Sequence, residues 1–334
     1  MIRCNILSIV LFTIQFLRTN SDTITTPNYD KEIEISCVSI NAAEEFDSFH
    51  LKYDSKMAKY NFKFLDGEIE KIKLMIGNRK KLILFFLGNQ AHLHSASGRQ
   101  FRIAKEQMQS TNSSVRTISY EFLSEPDIFK DLLYFSALKY RVPRVVEMAT
   151  SFIQNIVDAN DFQINLSSVY LSGYCLGGHI AGNVGLALKN IYNGQMVPAV
   201  WAFDAPHIGF PYPIEEGKPR RVQKGDGQLV TVFHTSWIGG KENIADVDVI
   251  LNDGVHQPGC ENESILSKCN HQAAYILYQL IIQKSFMLPT NEKGIPFAHS
   301  KANLSNQFPL DFTNPPSNQS GVYYILTADI FGSN

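Results

Sequence analysis

Apolar residues in this chain form short continuous runs rather than long alternating stretches. The clearest run covers residues 81–87 (KLILFFL) and ends at Gly88 and Asn89. A continuous run of this length predicts a strand that is buried on both faces, as the strands of a parallel sheet are. We predict further strands at residues 33–40, 60–64, 116–120, 168–171, 199–203, 230–233 and 321–326.

Segments with helical spacing of apolar residues lie between several of these strands. They cover residues 126–157, where Pro143 opens or breaks a helix, residues 176–188 and residues 270–283. Strands that alternate with helices predict an α/β fold with a mostly parallel central sheet. Residues 284–334 are predicted as loops apart from the last strand.

Composition and charge are those of an ordinary globular protein. The 334 residues are 44% hydrophobic and 19% charged, which suits one large core or at most two domains. The formal net charge of -2 gives no reason to expect a nucleic-acid partner.

The N-terminus has the pattern of a secretory signal peptide. Arg3 precedes an apolar stretch over residues 6–17, which is too short to span a membrane comfortably. We therefore place a signal peptide at residues 1–22 and a single domain at residues 23–334, and we expect a secreted, extracellular protein. A retained anchor is the alternative interpretation of the same segment.

Five Asn-x-Ser/Thr sequons follow this segment, which fits a glycosylated extracellular protein better than chance does. They begin at Asn112, Asn165, Asn262, Asn303 and Asn318.

Four cysteines follow the apolar N-terminus, and an oxidising compartment favours disulfides between them. Cys260 and Cys269 are close in sequence and flank a polar segment, so they are the favoured pair. Cys37 and Cys175 either keep their thiols or pair with each other.

Residues 173–177 (GYCLG) lie between a predicted strand and a predicted helix. This is the G-x-nucleophile-x-G pattern, in which a sharp turn exposes the middle side chain and glycines let the strand and the helix pass closely. The pattern makes Cys175 the candidate nucleophile. The N–H of Leu176 would begin the helix, where it can stabilise an oxyanion.

Residues 171–182 (LSGYCLGGHIAG) resemble the nucleophile elbow of the pancreatic-lipase family. That family includes neutral lipases, phospholipases of the A1 type and insect yolk proteins that do not hydrolyse lipid. The resemblance extends over residues 80–330, through segments at residues 203–210, 230–235, 257–260, 269–271 and 321–327.

The resemblance implies an α/β-hydrolase fold, as a lipase catalytic domain without the family's C-terminal β-sandwich. It also implies a catalytic triad in which Asp204 orients His271, and His271 exchanges a proton with the nucleophile Cys175. Leu176 and Asn89 would supply the oxyanion N–H groups.

The same resemblance places Cys260 and Cys269 in the disulfide of the lid. Neither a cofactor nor a metal is expected, because His92 and His94 alone are too few ligands for zinc.

Two departures from the family pattern affect the expected chemistry. Cys175 stands where the family has serine. A thiolate paired with histidine is a nucleophile, but a site shaped for oxygen must accept a larger atom. A displacement of about 1 Å costs on the order of a hundredfold in rate. Leu87 replaces the family's histidine and Asn89 its aromatic residue in the loop that supplies the second oxyanion N–H.

The segment between Cys260 and Cys269 has only eight residues. Within the family, short segments accompany phospholipases and yolk-type members, whereas long lids accompany triglyceride lipases. A glycan on Asn262 would make this segment hydrophilic.

Three hypotheses follow for the function. The first is a secreted lipase homologue with little or no hydrolytic activity, acting in lipid binding, yolk or storage. The second is an active phospholipase or carboxylic ester hydrolase that uses Cys175, His271 and Asp204. The third is a partner-binding module on the same scaffold. The expected ligand is a lipid or acyl ester, with peripheral contact to a membrane or a lipoprotein surface.

Overall fold

The computed structural model describes most of the sheet and the helices that pack on it. The described residues are 33–40, 46–50, 70–88 except 71, 74 and 75, 114–120, 138, 142–159, 161–211, 213, 219–240, 242–262, 264, 268–283, 286–289, 307–311, 313–315 and 319–327. The predicted signal peptide and the predicted strand at residues 60–64 lie outside them. So do Asn89, His92, His94 and the sequons at Asn112, Asn303 and Asn318.

Nine of the described strands form one sheet, in the order β11-β8-β7-β6-β5-β3-β4-β1-β2. Seven neighbours, from β11 to β4, run parallel, while β1 and β2 are antiparallel at one edge. A separate antiparallel pair joins β9 and β10. The strands are β1 Ile33–Ile40, β2 Phe46–His50, β3 Leu82–Phe86, β4 Ser114–Tyr120, β5 Val169–Tyr174, β6 Ala199–Phe203, β7 Leu229–His234, β8 Val247–Leu251, β9 Phe286–Pro289, β10 Gln307–Leu310 and β11 Gly321–Ile325.

The α-helices that cover the two faces of this sheet include α1 Val142–Val157, α2 Leu176–Ile191 and α3 Lys268–Gln283. Pro143 is the second residue of α1 and so opens the helix, at a position where its missing N–H has no intrahelical partner to lose.

Alternate side chains of each central strand enter opposite core clusters. In β3, Leu82, Leu84 and Phe86 pack with α1 and α2, whereas Ile83 and Phe85 pack on the side of α3. Because both faces are covered, the central strands are apolar throughout, which is why they appear in the sequence as continuous runs.

The predicted α/β fold with a mostly parallel central sheet is confirmed. The sequence patterns missed four strands: β2, β8, β9 and β10. In β8 the reason is Asp248, which interrupts the apolar run. The carboxylate is buried because it accepts hydrogen bonds from the N–H groups of Ile244 and Ala245 and lies 3.0 Å from Nε2 of His234.

Within the described residues, no helix combines the length and the hydropathy needed to cross a bilayer.

The parallel strands place their carboxyl ends along one edge of the sheet. Gly88 follows β3, Cys175 follows β5, Asp204 follows β6, Thr235 follows β7 and Asn252 follows β8. Residues that are far apart in sequence therefore meet at this edge, which is where open α/β sheets bind ligands.

Candidate active site

Cys175 lies at the sharp turn between β5 and α2. Its backbone angles are φ 56° and ψ -129°, a conformation that a residue with a side chain adopts only at an energetic cost. Two hydrogen bonds hold the turn: the N–H of Cys175 donates to the carbonyl of Phe203 at 2.9 Å, and its carbonyl accepts from Gly178 at 2.9 Å. The neighbouring strand β6 thus helps to hold this backbone conformation.

Two glycines make the turn possible because no side chain fits at either position. A Cβ atom on Gly173 would lie 2.2 Å from the carbonyl oxygen of Gly177. A Cβ atom on Gly177 would lie 2.1 Å from the carbonyl oxygen of Phe86. The glycines at both ends of the pattern therefore allow α2 to pack directly against β5 and β3.

Asp204 directly follows β6, is fully buried and has a φ of 49°. Its Oδ1 accepts hydrogen bonds from the backbone N–H groups of Thr235, at 2.7 Å, and Ser236, at 3.1 Å. The hydroxyl of Ser236 donates to Oδ2. These donors stabilise a buried carboxylate and fix its orientation.

His271 lies in the first turn of α3, and its Nδ1 donates to Oδ2 of Asp204 at 2.6 Å. The imidazole also hydrogen-bonds the side chain of Cys175. Burial lowers the pKa of His271. The negative charge of Cys175, the hydrogen bonds to Asp204 and Cys175, and the charge of Asp204 outweigh that effect and raise the pKa from 6.5 to about 10. At neutral pH the site therefore holds an imidazolium between a sulfur and a carboxylate.

Tyr174 packs against His271 from the strand side. The centroid of its ring lies 4.8 Å from that of His271 and 5.4 Å from that of Tyr275. Burial raises the pKa of Tyr174 well above its usual value, and the charges of Cys175, Asp204 and Tyr275 add to this effect. The phenol is therefore neutral and restricts the imidazole by contact.

Only part of the predicted oxyanion position lies within the described residues. Leu176 is the first residue of α2, so its N–H belongs to the first turn, whose N–H groups have no intrahelical acceptor. From the other side, the loop after β3 approaches closely: a Cβ atom on Gly88 would lie 3.1 Å from the Cβ of Cys175. Leu87 is buried in the apolar cluster on the α3 side. The other predicted donor, Asn89, is outside the described residues.

The structure shows whether Cys260 pairs with Cys269 and whether Cys175 is in a disulfide. Cys260 and Cys269 form a disulfide. Cys175 is not part of a disulfide, so the alternative that pairs it with Cys37 is wrong. Sheet order explains this result, because Cys37 lies on β1, three strands from β5, or about 14 Å, whereas a disulfide needs Cα atoms within about 7 Å.

Two predicted glycosylation sites lie within the described residues. Asn165 is exposed before β5, and Asn262 is exposed between the disulfide cysteines. Exposure is what a glycan requires, and their modification stays a prediction.

His179, within the segment that resembles the elbow, has a structural role. Its ring is fully buried, where Nε2 lies 2.7 Å from the carbonyl of Pro206 and Nδ1 accepts from the N–H of Val222 at 3.0 Å. Burial lowers its pKa to about 3, so the ring is neutral and serves to tie α2 to two loops.

Sequence reasoning identified Cys175, Asp204 and His271, and the structure brings these three together. It missed Ser236, whose hydroxyl and N–H both bind Asp204. Its position gave the only available signal, because Ser236 lies three residues after the predicted strand at residues 230–233, whose last residue contacts Asp204.

The chain is similar to several known proteins. A family model described as Lipase matches residues 61–305. Lipase member H of Xenopus tropicalis is 32% identical over 150 residues, which is 42% of this chain and 30% of that protein. Phospholipase A1 of Vespula maculifrons is 24% identical over 221 residues, which is 63% of this chain and 68% of that protein. A thermophilic carboxylesterase cloned from a metagenomic library covers 60% of this chain and 54% of its own, with 12% identity and a TM-score of 0.29.

Proposed function

The chain belongs to the lipase family, and from this premise we propose that it cleaves the ester bond of an acyl lipid through a thioester on Cys175. The observation that carries the proposal is the continuous series of hydrogen bonds from the side chain of Cys175 through His271 to Asp204. An imidazolium favours a thiolate beside it, and the thiolate is the nucleophilic form of cysteine.

Acylation begins when the thiolate of Cys175 attacks the ester carbonyl carbon. The carbonyl oxygen gains negative charge, which the N–H of Leu176 at the start of α2 stabilises. His271 then donates a proton to the alkoxide oxygen as the carbon–oxygen bond breaks. An alcohol leaves, and the acyl group remains on Cys175 as a thioester.

Hydrolysis of the thioester needs His271 in its neutral form. Acylation removes the negative charge and the hydrogen bond of Cys175 that raise the pKa of His271, so its pKa falls after the first step. The neutral imidazole can then take a proton from water, which attacks the thioester. The carbon–sulfur bond then breaks, the carboxylic acid leaves, and the thiolate of Cys175 and the imidazolium of His271 are restored.

A second candidate is a lipid-binding, yolk or storage protein with little or no turnover. Leu87 favours it, because this side chain packs in the apolar core where the family has histidine. In this candidate the site holds an acyl lipid, and the larger sulfur atom prevents efficient transfer. In both candidates the protein is secreted and binds a lipid or acyl ester. In both it also makes peripheral contact with a membrane or a lipoprotein surface.

Ester hydrolysis by the purified protein separates the two candidates. The substrates are a fluorogenic phospholipid and a short acyl ester, tested on the wild type, Cys175→Ala and Cys175→Ser. We expect wild-type turnover that disappears in Cys175→Ala and after thiol alkylation. Mass spectrometry of the quenched wild-type reaction should show an acyl adduct on Cys175 that hydroxylamine removes.

Other outcomes support the second candidate. An inactive wild type with an active Cys175→Ser variant would mean that sulfur alone silences an otherwise intact site. Inactivity of both would implicate the loop at residues 87–89 as well, and would contradict the proposed hydrolase.

A further inference from the structure

Gln257 lies between β8 and the Cys260–Cys269 disulfide, and the proposed reaction does not use it. Gln257 is 2% exposed, yet both polar atoms of its side chain have hydrogen-bond partners. Nε2 donates to the carbonyl oxygens of Thr235, at 2.9 Å, and Leu251, at 3.0 Å. Oε1 accepts from Nδ2 of Asn252 at 2.7 Å. This fully hydrogen-bonded amide connects two loops at the edge of the sheet that carries the triad.

The backbone of Gln257 makes a further connection, to the segment that carries His271. Its N–H donates to Oδ1 of Asn270 at 2.8 Å. Asn270 directly precedes His271 and directly follows Cys269. The disulfide therefore joins the two chain segments three residues after Gln257 and one residue before Asn270.

These contacts close a ring around the catalytic carboxylate. The N–H of Thr235 donates to Oδ1 of Asp204 at 2.7 Å, while the carbonyl of Thr235 accepts from Gln257. Through Asn270 the ring then returns to His271, which donates to Oδ2 of Asp204 at 2.6 Å. Asp204 is thus held from both oxygens by segments that Gln257 links to each other.

We propose that Gln257 is a positioning residue, which holds the Asp204-binding loop and the His271-bearing turn in register so that the imidazole meets both the carboxylate and Cys175. The proposal rests on the proposed function, since it concerns the same triad. In this proposal, the segment between β8 and the disulfide helps to set the geometry of the triad.

Side-chain chemistry explains why glutamine suits this position. Two carbonyl oxygens face Nε2, so this atom must donate twice, and one amide N–H faces Oε1, so this atom must accept. A neutral amide of this length meets both demands. Glutamate has the same shape but would direct an acceptor oxygen at the two carbonyls, and would displace the backbone of Thr235 from Asp204.

The test measures the alkylation rate of Cys175 by iodoacetamide between pH 5 and 9, and follows the adduct on its peptide by mass spectrometry. This readout reports the pairing of sulfur and imidazole without any ester substrate. The variants are Gln257→Glu and, as a second break in the same ring, Asn270→Ala. Gln228→Glu is the matched control, because Nε2 of Gln228 also donates to a backbone carbonyl, that of Met196, before β7 at the opposite edge.

We expect wild-type alkylation to persist at pH 6, where an ordinary thiol is protonated. Gln257→Glu and Asn270→Ala should lower the rate at pH 6 by about tenfold, because the lost bonds act on a charged pair, and Gln228→Glu should not. Circular dichroism identifies the folded variants to compare.

Two results would overturn the proposal: folded ring variants that keep the wild-type pH profile, or a wild type that alkylates as an ordinary thiol. If the alkylation profiles are as expected but the protein does not hydrolyse esters, only the proposed function is contradicted. The positioning role and the catalytic proposal therefore fail separately.

Discussion

Nδ1 of His271 lies 2.6 Å from Oδ2 of Asp204, although 67 positions separate the two residues in the chain. The same carboxylate accepts three further hydrogen bonds, from Thr235 and Ser236. Donors other than the histidine therefore fix its orientation, so that the carboxylate can hold the imidazole in one tautomer and one direction.

Asp204→Asn tests this relationship. The amide keeps the shape but loses the charge, and it favours the wrong tautomer of His271, so we expect kcat for ester hydrolysis to fall roughly 10³–10⁴-fold. Alkylation of Cys175 at pH 6 should fall as well. Asp311→Asn is the control, because Asp311 likewise accepts N–H groups, from Thr313 and Asn314, outside the site. Unchanged turnover in Asp204→Asn would contradict the assigned role.

The pKa of His271 should be measurable by NMR titration of its imidazole protons. The wild type should titrate at about 10, and Cys175→Ala should titrate at a lower pH, because the charge and the hydrogen bond of Cys175 both raise the pKa. A raised pKa means that this ring contributes stability in full below 6.5, and that the contribution is lost as pH rises through about 10. A wild-type ring that titrates near 6.5 would show that the imidazolium is not held.

Gly173→Ala should separate β5 from α2, because the added Cβ would lie 2.2 Å from a backbone oxygen. We expect a loss of about 1–3 kcal/mol in the free energy of unfolding, measured by urea denaturation, and slower alkylation of Cys175 at pH 6. Gly194→Ala is the control: its φ is 93° but nothing lies within 4 Å of the added Cβ, so only the conformational cost remains. Equal thiol reactivity in both variants would argue that the close packing does not position Cys175.

Replacing both disulfide cysteines, as Cys260→Ser with Cys269→Ser, should loosen the turn that precedes His271. The cross-link closes a short loop, so its loss should cost about 3 kcal/mol or less in the free energy of unfolding. We expect low-pH alkylation of Cys175 to fall more than this stability loss explains, since Asn270 and His271 directly follow Cys269. Thermal denaturation and alkylation of the same samples provide the comparison, and an unchanged pH profile would contradict the coupling.

Expression through a secretory pathway tests the predicted sequons. Asn165 and Asn262 are exposed, so each should carry a glycan that a glycosidase removes with the corresponding loss of mass. Asn165→Gln and Asn262→Gln should each lack one such shift. Secretion of a protein without any glycan mass would contradict the prediction at both sites.

Local sequence determined the central strands and the candidate nucleophile. Continuous apolar runs such as residues 82–86 indicated strands covered on both sides, and residues 173–177 indicated the turn, because only glycine allows such close approach of strand and helix. Asp204 and His271 became candidates because their segments resemble those of the family.

Tertiary structure alone decided which groups meet. Strand order placed Cys37 three strands away from the elbow and brought Asp204, Ser236 and Gln257 to one edge. No local pattern shows that the buried Asp248 belongs to a strand, because its burial depends on partners supplied by His234 and the preceding turn. Contacts of this kind arise from the register of distant segments, so they become visible only when the sheet has assembled.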